Sequence, residues 1–157
     1  MLRIGLVSDT HGLLRPEAEA FLAGSDFIVH AGDAGGAHIL EALAALAPLT
    51  VVRGNNDHGG WAERLRDGEY VEAGGIRVHV IHDLAELGID PREARVQVVV
   101  SGHSHRPRIE TRDGVLYVNP GSAGPRRFRL PIAAGELLVA NGRASVRIVD
   151  LETGTPL

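Results

Sequence analysis

The 157-residue chain is expected to fold as an α/β protein in which two β-sheets pack face to face with helices outside. Three observations predict this. The first half alternates short apolar β-prone runs with helical segments. The second half is a series of β-prone runs joined by hairpin-type turns. Hydrophobic residues make up 44% and charged residues 23%, enough apolar side chain to fill a core and far from the composition of disordered chains.

Residues 2–7 form a short apolar run closed by Ser8-Asp9-Thr10-His11-Gly12, the pattern of a buried strand. Pro16 sits where an N1 proline belongs, residues 17–23 suit a short helix, and Gly24 is placed to cap it. Residues 26–31 read as a second strand ending at Gly32-Asp33. Large apolar groups at helical spacing fill residues 37–47, and Pro48 stops that helix. Residues 49–53 are a third strand ending at Gly54-Asn55. Such βαβαβ alternation requires a parallel sheet with helical crossovers. Beyond it, Gly74-Gly75, Asp113-Gly114 and Asn141-Gly142 mark hairpins. Strands are expected near 69–73, 76–82, 96–101, 108–111, 115–118, 135–140 and 143–149, with one helix within 84–95. No linker, repeat or low-complexity tract divides the halves.

Composition removes several chemistries. All 16 basic residues are arginine, so there is no Schiff-base or P-loop lysine. The absence of cysteine excludes thiolate nucleophiles, iron–sulfur clusters and disulfides. A formal charge of −4 and 4% aromatic residues offer neither the footprint nor the stacking platforms of a stable nucleic-acid complex. The first apolar run is too short for a signal peptide or membrane span, so the expected location is the cytoplasm, away from membranes. Neither a Gly-x-Ser-x-Gly elbow nor a Gly-x-Gly-x-x-Gly loop is present.

What remains is a set of metal-ligand types placed just past strand ends: Asp9 and His11 after the first strand, Asp33 after the second, Asn55 after the third, His82 ending a later strand, and His103 and His105 after residues 96–101. Loops at those ends converge on one crevice in open α/β sheets. In extended chain, residues two apart point to one side, so Asp9/His11 and His103/His105 each present a pair. Seven such groups suit two cations if a carboxylate bridges, and Asp33, beside a glycine, is the natural bridge. Four imidazoles disfavour Mg²⁺ and Ca²⁺ and favour a transition metal, Mn²⁺ first, with Ni, Co, Zn or Fe as alternatives.

Asp9-x-His11, Gly32-Asp33, Gly54-Asn55-Asn56-Asp57, His82, Gly102-His103-Ser104-His105 and Asn119-Pro120-Gly121-Ser122 resemble the calcineurin-like metallophosphoesterase superfamily, and within it the small bacterial and archaeal phosphodiesterases of the YfcE type. The resemblance implies a single domain over 1–157 with a four-layer αββα sandwich of two mixed sheets and flanking helices. It assigns Asp9, His11, Asp33 and His105 to one ion and Asp33, Asn55, His82 and His103 to the other. It also implies phosphodiester hydrolysis by a metal-bridging hydroxide, with Asp33, Asn55 and His103 at the reaction centre. The alternatives are a phosphomonoesterase or nucleotide hydrolase with the same centre, or a metal-binding scaffold module. The expected partner is a small phosphodiester, and a homo-oligomer stays open.

Two positions depart from the family pattern. Asn56 stands where many members place a histidine that assists the leaving group, and Asp83 follows His82 where glycine is usual. His58, three positions beyond Asn55, is the candidate substitute acid against a solvated-loop reading. The remaining histidines have blander readings: His38 and His79 as surface or packing residues, and His30 as either a support for the site or a buried structural residue. Asn119 to Ser122 reads more simply as a turn than as a site wall. Arg126, Arg127 and Arg129 read as a solvated loop or subunit contact before an attractor of phosphate.

Overall fold

A computed structural model describes residues 1–157 throughout. Strands β1 (Leu2–Val7), β2 (Phe27–His30) and β3 (Leu49–Val51) are parallel, linked by helices α1 (Pro16–Leu22) and α2 (Ala37–Ala44). Antiparallel β9 (Ala133–Ala140) and β10 (Arg143–Asp150) extend that sheet to the order β10-β9-β1-β2-β3. The second sheet contains β4 (Gly68–Ala73), β5 (Ile76–Ile81), β6 (Val98–Val100), β7 (Arg108–Arg112) and β8 (Val115–Asn119) in the order β4-β5-β6-β8-β7. Its three central strands are parallel and its edges antiparallel. Both sheets are therefore mixed.

Alternation along the strands builds the layers. Ile4 and Leu6 of β1 face Val78, Val80, Val98 and Val100 of the other sheet in the principal core, whereas Val7 and Ile28 point outward to Ala18, Leu22, Ile39 and Leu43 of the helices. The outer face of the second sheet is thinner, with only Ile81, Val96, Val99 and Val115 buried in its cluster. The helix expected within 84–95 is replaced there by a single 3-10 turn, Leu84–Glu86, capped by the Asp83 carboxylate accepting from the Ala85 N–H at 3.0 Å. Gly88 and Pro91 interrupt the segment before a longer helix can propagate. One short helix, α3 (Gly60–Glu63), was not foreseen, and α2 stops at Ala44.

Register positions the functional loops. Val7, His30 and Val51 are neighbours across β1, β2 and β3, and Val80, Val100 and Val118 are neighbours across β5, β6 and β8. The loops that follow the five strands carrying candidate ligands consequently leave their sheets at one end. No helix is long and apolar enough to cross a membrane.

Leu6 is fully buried between the sheets, so Leu6→Ala is expected to cost about 3 kcal/mol through lost transfer energy and a cavity. Urea unfolding checks this; a loss below about 1 kcal/mol would show that the sheets close over the gap.

Candidate metal centre

The seven sequence-predicted ligand residues come together at this end. Asp9, Asp33, His82 and His105 are 0%, 2%, 4% and 2% exposed. Asp9, His11 and His105 form one compact group of ligand atoms; Asp9, Asp33 and His82 form a second. His105 Nε2 lies 3.4 Å from Asp9 Oδ1 and 3.3 Å from His11 Nε2. Asp9 is common to both groups, and Asp33 Oδ2 lies 3.6 Å from His11 Nε2 of the first and 3.3 Å from His82 Nε2 of the second. Asn55 Oδ1 is 2.9 Å from His82 Nε2 and 3.2 Å from His103 Nδ1.

Convergence is expensive locally. Asp9, His11, Asp33, His103 and His105 all adopt left-handed backbone, with φ between 46° and 71°, a region costly for side-chain-bearing residues and concentrated at functional sites. The glycines between them allow close approach. A Cβ on Gly102 would lie 2.1 Å from Ser8 Oγ, and one on Gly54 would lie 2.1 Å from Asp33 Oδ1.

Hydrogen bonds fix the ligand atoms. His82 Nδ1 donates to the Ala31 carbonyl at 2.7 Å, which leaves Nε2 for a cation, the arrangement usual for ligating imidazoles. Asp9 Oδ2 accepts from Ser8 Oγ at 2.7 Å and from the His103 N–H at 3.1 Å. Asp9 Oδ1 is buried without any donor. A buried anionic oxygen aimed at imidazoles and left unpaired is the fit expected for a divalent cation, and oxygen–imidazole donor sets suit transition metals.

Electrostatics agree. Burial works against ionisation of Asp33, yet His82 and the Asn56 N–H groups hold its carboxyl far below the usual range. Burial likewise opposes ionisation of Asp9, but His105 and Ser8 keep it lowered. His11 is lowered by burial. His82 is raised, because Asp33 and the Ala31 carbonyl outweigh its burial; a cation there would displace that proton.

Several supporting residues had no signal in the sequence beyond their place in a motif. Of the two readings open to Asp57, orienting His58 or holding the loop, the contacts show the second: its carboxylate accepts from the N–H groups of Asp33 at 3.0 Å, Gly54 at 2.8 Å and Gly35 at 3.1 Å. Asn56 donates its backbone N–H to Asp33 Oδ1 at 2.8 Å and its amide to Oδ2 at 3.0 Å. Residues 119–122 are more than the turn expected of them. Asn119 donates to the Gly102 carbonyl at 2.9 Å, and Ser122 Oγ to the Asp9 carbonyl at 3.0 Å. Asp83, which caps the 3-10 turn, also stands 3.8 Å from His103 Nε2. His58 is exposed and lines a cavity with Asn55, His82 and His103. His79 packs against Tyr70 at 4.6 Å between ring centroids, and His38 Nε2 is 3.1 Å from the Gly12 carbonyl.

His30 proves to be both buried and supporting. Its Nδ1 accepts the Gly32 N–H at 3.0 Å, so Nε2 carries the proton and donates to Thr10 Oγ1 at 2.9 Å, and Thr10 donates to the Ala34 carbonyl at 2.9 Å. This neutral ring ties the loops of Asp9 and Asp33 together.

A two-sheet sandwich with a buried carboxylate–imidazole cluster at its loop end defines a class of protein built to hold divalent cations. The chain belongs to the calcineurin-like phosphoesterase superfamily, whose family description matches residues 2–141. A probable metallophosphoesterase of Methanocaldococcus jannaschii is 32% identical over 163 aligned positions, covering 95% of this chain and 81% of that protein. Among solved structures, YfcE, a phosphoesterase from E. coli, superposes with a TM-score of 0.73 at 21% identity, covering 99% of this chain and 97% of that one. An archaeal phosphodiesterase gives 0.77 at 23% identity, with 94% and 100% covered. Zinc-complexed Vps29 from Entamoeba histolytica gives 0.79 at 20% identity, with 99% and 96% covered. These structural likenesses establish the fold.

Burial pushes His30 down to about 4 from 6.5. Its neutral form therefore stabilises the fold fully above pH 6.5, and that contribution, roughly 3 kcal/mol, is lost as pH falls towards 4. Urea midpoints measured from pH 7 to 4.5 are expected to fall less steeply for His30→Gln than for the wild type. Parallel profiles would contradict the assignment.

Proposed function

We propose that the chain is a dinuclear metal-dependent phosphodiesterase, with Asp9, His11, Asp33 and His105 holding one cation and Asp33, Asn55, His82 and His103 the other. The observation that carries this reading is the position of the Asp33 carboxylate between His11 and His82, which belong to the two different sets. Manganese is the preferred ion because the donor set mixes the carboxylate and amide oxygens of Asp9, Asp33 and Asn55, which suit it, with imidazoles, which disfavour Mg²⁺ and Ca²⁺. The archaeal phosphodiesterase with the same fold supports a diester substrate. The mildly acidic chain suits a small cytoplasmic ester better than a bound nucleic acid.

When bound, the two cations supply Lewis-acid charge to the phosphoryl group and activate water. The protein's own part is positioning. Asn56 orients both oxygens of Asp33 while leaving each a lone pair for a cation. Asp57 fixes the loop that carries Asn55. The His82–Ala31 bond keeps one imidazole nitrogen facing inward. Asn56, committed to Asp33, supplies no proton to a departing oxygen. His58 has no hydrogen-bond partner holding it towards the centre, so departure proceeds without a side-chain acid.

Hydrolysis of bis(4-nitrophenyl) phosphate is expected to need added transition metal, with Mn²⁺ supporting it better than Mg²⁺. Robust activity in excess chelator, or a preference for monoesters, would contradict the reading. In calorimetric titration with Mn²⁺, Asp33→Ala is expected to lose both binding events and His105→Ala chiefly one; two retained ions in Asp33→Ala would remove the bridge. General acid catalysis typically contributes about 10²–10⁴-fold, so its absence predicts a steep fall in rate with leaving-group pKa, equal in wild type and His58→Ala. A shallow wild-type slope that steepens in the variant would make His58 the acid.

A further inference from the structure

The two-cation reading can be carried one step further, to what holds its least buried ligand. The rings of His82 and His105 are buried, that of His11 is 21% exposed, and that of His103 is 45% exposed. Packing therefore fixes the first two, whereas His103 stands on the rim of the cavity that it lines with Asn55 and His82. Its backbone is anchored where its N–H donates to Asp9 Oδ2. Its ring meets that of His82 edge to face, at 5.2 Å between centroids, a contact on one side only. An imidazole this exposed loses rotamer freedom when it ligates, and that loss weakens cation binding unless another group orders the ring beforehand.

The two nitrogens of the His103 ring have different neighbours. Nδ1 lies 3.2 Å from Asn55 Oδ1, the other oxygen or nitrogen donor proposed for the second cation. Nε2, across the ring, lies 3.8 Å from Asp83 Oδ2. Asp83 is itself a fixed group. It follows His82 directly at the end of β5, and its Oδ1 accepts the Ala85 N–H at 3.0 Å as the cap of the turn Leu84–Glu86. The Gly102 N–H donates to the His82 carbonyl at 2.9 Å and holds the loop of Asp83 against that of His103. With Oδ1 committed to the turn, Oδ2 has His103 as its one ion-pair neighbour. At 3.8 Å the carboxylate acts on the ring through its charge, the distance being too long for a direct hydrogen bond. A carboxylate at the outer nitrogen of a ligating imidazole fixes the tautomer and the ring orientation.

We propose that Asp83 is a positioning residue for the second cation: on the two-cation reading, its carboxylate orients the His103 ring, keeps the proton on Nε2 and so presents Nδ1 beside Asn55 Oδ1. The exposed ring thereby gains from Asp83 the hold that burial and the Ala31 carbonyl give to His82. The residue that stands where glycine is usual has this work to do.

The test is calorimetric titration of the metal-free protein with Mn²⁺, comparing wild type with Asp83→Asn, Asp83→Ser and Glu86→Gln. Asparagine and serine each keep an acceptor for the Ala85 N–H, so the turn is retained, and each removes the charge facing His103. One of the two binding events is expected to weaken about tenfold in both Asp83 variants, with the other within about twofold of wild type. Glu86→Gln, which takes a carboxylate from the same cavity, should leave both events within about threefold. A second readout is the nitrogen spectrum of the Zn²⁺-loaded protein labelled at histidine. In wild type the His103 ring should carry zinc on Nδ1 and its proton on Nε2, and these signals should broaden in Asp83→Ser as the ring loses its hold. Two Mn²⁺ events unchanged by both Asp83 variants, an equal loss in Glu86→Gln, or zinc on Nε2 of wild-type His103 overturns the role of Asp83. A wild-type protein that binds a single cation fails the two-cation reading itself, and this inference with it.

Discussion

Two carboxylates removed from water, Asp9 and Asp33, face the imidazoles of His11, His82 and His105. Burying such charges costs several kcal/mol each unless they are paired. Ser8, the His103 N–H and Asn56 meet part of that need through hydrogen bonds. Asp9 Oδ1 receives nothing. Two divalent cations would neutralise the cluster and occupy the vacant lone pairs, and much of the surrounding architecture is arranged to hold these groups in readiness. Five of the candidate ligand residues are held in left-handed conformation, a cost that persists only where surrounding contacts over-determine the backbone.

Those contacts form a belt around the centre. Asp57 gathers three backbone amides from two loops, while His30 and Thr10 join the Asp9 and Asp33 loops from beneath. Asn119 and Ser122, at and just past the end of β8, brace the Gly102 and Asp9 carbonyls. None of these groups needs to touch a substrate. Their work is to keep ligand atoms convergent, since a displacement of about 1 Å can cost orders of magnitude in a positioned reaction.

The strands and the convergence of the candidate ligand residues were legible in the sequence because each depends on short-range pattern. Apolar runs ending in Gly-Asp or Gly-Asn identify strand ends, and strand ends in an α/β sheet share one crevice. Of the belt, His30 was legible as a possible support; the other contacts were not, because they join residues far apart in the chain, as with Ser122 and Asp9. Asn56 read as a missing acid because the position suggests that role; only its two bonds to Asp33 show it as a brace. The helix expected within 84–95 failed for a local reason, Gly88 and Pro91, and a tertiary one, the few apolar contacts available on the outer face of the second sheet. The helix α3 is a single turn beginning at Gly60, too short for periodicity to reveal.

The central claim is that Asp33 lies between two cations. Anomalous diffraction from crystals of the Mn²⁺-loaded protein tests it most directly. Two peaks are expected, about 3.5–4 Å apart, one bordered by Asp9, His11 and His105, the other by Asn55, His82 and His103, with the Asp33 carboxylate shared. A single peak at full Mn²⁺ occupancy, or two peaks with Asp33 contacting only one, would contradict the account.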